Sequence, residues 1–428
     1  MNAVSHWFTY RGESSRVGRA LALVADARTA SGDLLRAELR QPRMTGLNLT
    51  ALHRVVSTRF FDPAGMRIAA PVGNWSFSID PIVTSDSDVA RFEGFSPCCG
   101  VWARYDLGFE ALDVAEARRG TTNVDFGSAL RAAAASLISE PEAAIVVGPD
   151  AVHLDVAGSR VTERQIDLPK RWLRGLVEVQ IAQAAMTPWM TLSRAQMVAL
   201  TQALPRTATR EPVHLTRSGA GFAVRARATP GSLPLHDARR LLVAEPLIMT
   251  CSEVRVFQHA SGASAWVLVM GDHRFTLCLS PSADRGFSGE GFALDLDLDA
   301  DPWTDLAVLD RLAAGERSID AADALARLGT QGLVGLDLGE RRWYHRALPY
   351  QVDADVGTPP RWRRGQALAA AGAVRPGPDG TWHVAGTEVT HTVRLDTAGD
   401  RCTCTWHARH GGARGPCAHI VAARRMAA

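Results

Sequence analysis

The chain has 428 residues, 46% hydrophobic and 21% charged, the proportions of a soluble globular protein with room for about two to four domains. No apolar run reaches the roughly 18 residues that a membrane-spanning helix needs, and the opening residues lack a basic stretch followed by an apolar core, so a cytoplasmic protein without a membrane partner is expected. The net charge of +2 excludes a strongly basic polyelectrolyte, yet it is unevenly shared: from residue 357 onward ten arginines face four acids, leaving 37 basic and 41 acidic residues before it.

Residues 1–158 read as one mixed α/β region. The runs 15–24 and 47–56 have the apolar spacing of helices, 101–107 alternates like a strand, and 143–156 reads as a hairpin turning at Gly148-Pro149-Asp150. Two polar stretches interrupt it. Ser96-Pro97-Cys98-Cys99-Gly100 is a metal or redox candidate whose plainer reading is packing, since adjacent cysteines are poorly placed to share one ion. The stretch 118–133 sets Asn123 and Asp125 just before a helix, where they either cap it or stand exposed as a recognition loop.

A middle α+β region, 159–302, opens with helices whose apolar faces are Leu173, Leu176, Val177 and Ile181, then Met197, Leu200 and Leu204. Strands are expected at 213–215 and 222–226, a helix at 235–242, and a hairpin over 265–279 turning at Gly271-Asp272. The strict alternation over 294–301 puts Asp295, Asp297 and Asp299 on one strand face, as a cation site or as the solvated side of an edge strand.

Residues 303–352 run helix, helix, hairpin, the order of a winged helix. Their second helix carries Asp320 and Asp323, which would repel phosphates. Only the hairpin, with Arg341, Arg342, Trp343, Tyr344, His345 and Arg346, interleaves cations and aromatics as nucleic-acid surfaces do. The alternative is that Trp343 and Tyr344 pack within it. Gly357-Thr358-Pro359-Pro360 reads as a linker, and the helix after it starts with Arg361, Arg363 and Arg364 near the positive end of its dipole, a placement relieved by an anion.

The stretch 401–420 holds Cys402, Cys404, Cys417 and His419: Cys-x-Cys, a twelve-residue gap, then Cys-x-His. Three thiolates and an imidazole form a closed tetrahedral set for one structural Zn2+, with no open position for substrate. The gap is glycine-rich and ends at Gly415-Pro416, so it can loop out and return to the metal; it also holds His407 and His410, which compete as ligands. A disulfide framework is disfavoured, because Cys402 and Cys404 are too close to bridge and the seven cysteines are an odd number. Upstream, 380–395 reads as a hairpin turning at Ala385-Gly386; downstream, 417–426 reads as a helix.

This order, with Trp382-His383-Val384-Ala385-Gly386 ahead of the ligand pairs, resembles the SWIM zinc finger family. The resemblance covers about the last fifty residues and implies that Cys402, Cys404, Cys417 and His419 are the zinc ligands and that the finger binds DNA or protein. The run 118–133 is similar to runs in bacterial SWIM proteins encoded beside MoxR-type ATPases and von Willebrand A-like proteins, which implies a protein partner of that kind.

The fold class expected is α+β and multidomain: the mixed α/β region 1–158, the middle region 159–302, the winged-helix-like segment 303–352 and a small ββα zinc finger module, 360–428. No nucleophile elbow, phosphate-cradling loop or His-Glu-x-x-His signature appears. The function expected is that of a non-enzymatic adaptor that engages a protein, or a nucleic acid, with Arg341, Arg342, Arg361, Arg363, Arg364, Arg409 and Arg414 as contact residues. The alternative is an enzyme whose site lies in 1–302 and draws on Asp125, His153, His273 and the 295–299 carboxylates.

Overall fold

The runs 89–95 and 101–108 alternate apolar and charged residues, a pattern that normally leaves one sheet face in water; here both faces are covered. The computed structural model describes residues 15–17, 20–22, 32–60, 81–164, 170–209, 211–219, 221–283, 286–287, 291–296, 302–316, 319–346, 359–412 and 414–427.

The strands in chain order are β1 (Ser15–Val17), β2 (Ala20–Ala22), β3 (Leu35–Leu39), β4 (Ile82–Ser85), β5 (Val89–Phe95), β6 (Val101–Gly108), β7 (Leu112–Ala117) and β8 (Gly120–Asn123). They continue with β9 (Ala143–Val147), β10 (Ala151–Val156), β11 (Ser159–Arg164), β12 (Thr187–Ser193), β13 (Val213–Ser218), β14 (Gly221–Arg225), β15 (Leu233–Leu235), β16 (Glu253–Gln258), β17 (Ser264–Met270) and β18 (His273–Leu279). An eight-stranded antiparallel sheet, ordered β12-β16-β17-β18-β6-β5-β4-β8, forms the centre. Its seam is β18 against β6, with His273 opposite Leu107 and Leu279 opposite Val101, so the sheet runs without a break across residue 158. A five-stranded sheet, β11-β10-β9-β3-β7, and a three-stranded one, β14-β13-β15, stand beside it.

Helix α1 (Pro42–Ser57) starts on a proline, whose missing N–H costs nothing in a first turn. It buries Leu49, Leu52, Val55 and Val56 and packs over β5, β6 and β18. Helix α2 (Ser128–Ser136) lies against α1 at Gly46, where a Cβ would come 2.6 Å from the carbonyl of Ala134. The opposite face of the large sheet is shared. Its apolar end takes α3 (Lys170–Ala184), with Trp172 edge-on to Phe95 at 6.0 Å between ring centres. Helix α4 (Arg194–Ala203) carries a full capping box from Ser193 and Gln196, and α5 (Arg239–Leu242) is a single turn.

The charged end of that face is covered by the segment after residue 301: α6 (Pro302–Ala313), α7 (Ala322–Thr330), β19 (Val334–Asp337) and β20 (Arg342–His345). Asp337 enters a cluster of guanidiniums that the sheet supplies, 2.7 Å from Arg274, 3.2 Å from Arg104 and 4.0 Å from Arg91. Arg346 pairs with Glu93, and the ring of Tyr344 lies 3.9 Å from the Arg91 guanidinium. All of these side chains are buried except Arg274, which is 16% exposed. Burial alone would raise the Asp337 carboxyl, but Arg104, Arg274 and Arg91 hold it down to about 2.

The last unit comprises α8 (Pro360–Ala370), β21 (Val374–Pro376), β22 (Thr381–Ala385), β23 (Thr390–Arg394), β24 (Arg401–Cys402), α9 (Thr405–His410) and α10 (Ala418–Ala427). Its strands form one antiparallel sheet in the order β21-β22-β23-β24. Val374, Val384, Val393, Ile420, Ala422 and Ala423 make a core of its own.

Several details differ from the sequence reading. Residues 15–17 and 20–22 are paired short strands, not a helix, and the helix expected over 235–242 is β15 followed by α5. Asn123 is not in an exposed loop but buried at the end of β8. The cap of α2 is Gly127, without a side-chain bond; Glu163 of β11 takes the Leu130 N–H instead. Asp295 closes a short 3-10 turn, Phe292–Asp295, while Asp297 and Asp299 lie outside the described residues, as do 357 and 358 of the expected linker. The finger has four strands and three helices where ββα was expected, because the segment from 360 packs α8 on α10 and adds β21 to the hairpin.

Candidate metal centre

The ligands are delivered by three short elements. Cys402 ends β24, where pairing with Val393 turns its side chain into the finger's core. Cys404 is the N-cap of α9, and its sulfur accepts the backbone N–H of His407 at 3.4 Å. Cys417 directly precedes α10 and His419 stands in its first turn. The backbone N–H of Cys404 in turn points at the Cys402 sulfur, 3.4 Å away.

The four candidate ligand atoms all lie within 4.8 Å of one another, with the cysteines buried and the histidine half-buried. Cys402 Sγ is 3.8 Å from His419 Nδ1. A tetrahedral ion with Zn–S of about 2.3 Å would hold its sulfurs about 3.8 Å apart, so the donor set fits zinc in number, type and spacing. Backbone N–H groups aimed at sulfur favour thiolate, as a metal site needs. The Cys402 hydrogen bond pulls the Cys417 thiol down to about 4, and the same bond pushes Cys402 up. A cation that takes the place of these shared protons makes all three sulfurs thiolates. His407 and His410 are not in the cluster: the His410 ring lies tilted against Trp406, with 4.9 Å between ring centres.

Arg361 holds the loop that returns to Cys417. Its Nη1 donates to the carbonyls of Arg414 and Pro416, at 2.7 and 3.0 Å, and its guanidinium lies 4.3 Å from the Trp406 ring centre. It also sits over Gly291 of the body, where φ is +87° and a Cβ would collide with it; Gly415 approaches the carbonyl of the same glycine. Arg361 therefore ties the metal loop, α8 and the body together, a role that its place in a run of arginines does not disclose.

The other arginines expected as contacts are dispersed. Arg364 and Arg409 are exposed, Arg363 and Arg414 are half-buried, Arg341 is an exposed turn residue at φ +51°, and Arg342 lies 3.6 Å from Asp88. Tyr344 and Arg346 point into the protein, so the aromatic and cationic character of the hairpin serves its docking on the sheet.

Of the groups named for an enzyme, Asp125, His153 and His273 do not converge. His273 is buried in the large sheet, 2.8 Å from Tyr105 Oη, and burial lowers it to about 4. His153 is on the five-stranded sheet, bonded to Thr162, and Asp125 lies beside Glu163. A void of about 10 Å³ lined by Leu49, Val83, Phe92, Phe126 and Ile145 is wholly apolar. Cys98 and Cys99 lie in a tight turn, with Ser96 Oγ 3.4 Å from Cys98 Sγ, and neither belongs to a metal-ligating group among the described residues.

No family model matches the chain, and no curated protein matches it. Among solved structures it is similar to the proliferating cellular nuclear antigen of Entamoeba histolytica, with 8% identity and a TM-score of 0.37 over 58% of this chain and 99% of that one. It is also similar to the PCNA2-PCNA3 complex of Sulfolobus tokodaii, with 7% identity and a TM-score of 0.42 over 58% of this chain and 100% of that one. Neither likeness reaches the level at which two chains share one fold.

Proposed function

We propose that the protein is a non-enzymatic interaction protein whose SWIM-type finger, structured by one Zn2+, presents a basic surface to a protein partner. The observation that carries this reading is the donor set. Three sulfurs and one imidazole within 4.8 Å of one another saturate a tetrahedral ion. Zinc held there would have no position left for water or substrate, so its chemistry is structural: it closes the fold of the finger and fixes the surface around it. The body supplies the scaffold, with the finger anchored to it through Arg361 and Gly291. The partner class that the resemblance brings is a bacterial ATPase or a von Willebrand A-like protein, in the cytoplasm.

The test is affinity purification of the full chain and of Cys404→Ser from the cells that encode it, with zinc content measured on each sample. The reading expects a stoichiometric protein partner on the zinc-loaded wild type and its loss from the variant. Equal recovery by both, or no partner on zinc-loaded protein, would overturn it.

A further inference from the structure

The finger is held on the body by a contact between two glycines: among the described residues, none of its helices or strands packs extensively on one of the body's. Gly291 and Gly415 both have left-handed backbones, at φ +87° and +69°, and a Cβ on Gly415 would stand 2.8 Å from the Gly291 carbonyl oxygen. Arg361 lies directly over Gly291, where a Cβ of that residue would be. The two halves of the contact are built differently. The body's half is fixed by the body itself: Leu294 donates its N–H to the Gly291 carbonyl at 3.2 Å, Ala293 donates to Glu178 of α3 at 3.3 Å, and Phe292 meets the ring of His259 edge-on, with 4.9 Å between centres. The finger's half is shaped by the metal loop. Gly415 stands two residues before the ligand Cys417, and Arg361 bonds the carbonyls on either side of it, those of Arg414 and Pro416.

We propose that Gly291 and Gly415 form a latch that closes when zinc is bound, so that zinc occupancy decides whether the finger stands fixed on the body or swings free of it. The latch rests on the structural zinc proposed above and adds a response to that metal. With Cys404 and Cys417 on one ion, both ends of the loop are held and Gly415 is kept at the Gly291 carbonyl. Without the ion the loop regains its conformational freedom, and closing the latch would have to order it again. The seat on the body is unaffected, because its hydrogen bonds and ring contact come from α3, His259 and its own turn. A released finger stays tethered by residues 347–358, a length of chain that reaches at most about 40 Å, and it loses its fixed orientation. Coupling of this kind is reciprocal: if zinc favours docking, docking favours zinc to the same degree. A glycine of the body, outside the ligand set, therefore tunes the metal affinity of the finger.

The experiment is a Zn2+ titration of the full chain against a competing fluorescent chelator, with small-angle scattering of the same samples at one equivalent of zinc. Gly291→Ala, a change in the body, weakens zinc binding by about 5–150-fold, the usual range of such couplings, and enlarges the radius of gyration although the metal is bound. Gly415→Ala spoils the contact from the finger's side and does the same. Gly219→Ala in the body and Gly372→Ala in the finger put a side chain on equally left-handed backbones, at φ +57° and +66°, where its Cβ meets nothing, and both readings stay at wild-type values. Wild-type zinc affinity in Gly291→Ala, wild-type scattering in both latch variants, or an equal loss of affinity in the two control variants would each overturn the latch and leave the zinc site standing. A wild-type chain that takes up no Zn2+ would remove the zinc site and the latch with it.

Discussion

Replacing Asp337 by Asn keeps the shape of the side chain and removes its charge from a site where it faces Arg274, Arg104 and Arg91 at 2.7, 3.2 and 4.0 Å. All four side chains but Arg274 are fully buried, so the cations left behind cannot regain water. Asp106 stays within 2.6 Å of Arg104 and keeps part of the balance. Removing one partner of a buried ion pair costs about 3–5 kcal/mol, and for a domain of this size each kcal/mol lowers the melting temperature by about 2–4 °C. D337N should therefore melt about 6–20 °C below the wild type at pH 7 in differential scanning fluorimetry.

The pH dependence gives a second readout. The Asp337 carboxyl is held down to about 2 in the folded protein, against an ordinary value of 3.8. A depressed carboxyl contributes stability that is fully present above its unfolded value and is lost as pH falls through the folded one. The gap between wild type and D337N should accordingly be constant well above pH 4 and narrow as pH falls from about 4 to 2. A variant within about 0.5 kcal/mol of wild type at pH 7, or a gap that persists unchanged to pH 2, would refute the reasoning.

Three further outcomes are expected of the finger. A chelator should unfold it and leave the transition of the body in place, since about 10–16 kcal/mol of metal binding is folding energy in such modules; near-ultraviolet dichroism of Trp382 and Trp406 reports it, and an unchanged spectrum after zinc removal would count against it. Arg361→Ala removes the donors to the carbonyls of Arg414 and Pro416. Supporting contacts of this kind change metal affinity by about 10–100-fold, so zinc should pass to a competing dye correspondingly faster, while Arg364→Ala leaves the rate alone; equal rates for both variants would contradict the role given to Arg361. At Gly365→Ala the new methyl meets Val421 at 2.5 Å and wedges α8 from α10. Overpacking costs about 1–3 kcal/mol, so the finger's melting temperature should fall; no change would show that the helices part freely.

The metal cluster was legible because its signal is local. Four ligands in two tight pairs need only a loop between them, and the hairpin and helix beside them carry their own period. What lies far apart in the chain was not legible. The pairing of β18 with β6 joins residues about 170 positions apart, and neither strand names its neighbour. The hairpin at 334–345 shows the same effect in its chemistry. Cations next to aromatics suit a nucleic-acid surface equally well, and only the charges on β5, β6 and β18 explain why Tyr344 and Arg346 turn inward. The alternation of Arg91 and Glu93 with Phe92 reads as a half-exposed strand, yet ion pairing allows both faces to be buried. In the finger the arginines counted toward its net charge, but which of them share a face required the register of all four strands.

X-ray absorption at the zinc edge of the purified full chain tests the central claim most directly. Three sulfurs at about 2.3 Å and one nitrogen at about 2.0–2.1 Å, with no oxygen in the shell, is the result expected of Cys402, Cys404, Cys417 and His419 around one ion. A shell containing a water oxygen, or protein purified without chelator that carries no zinc, would contradict it.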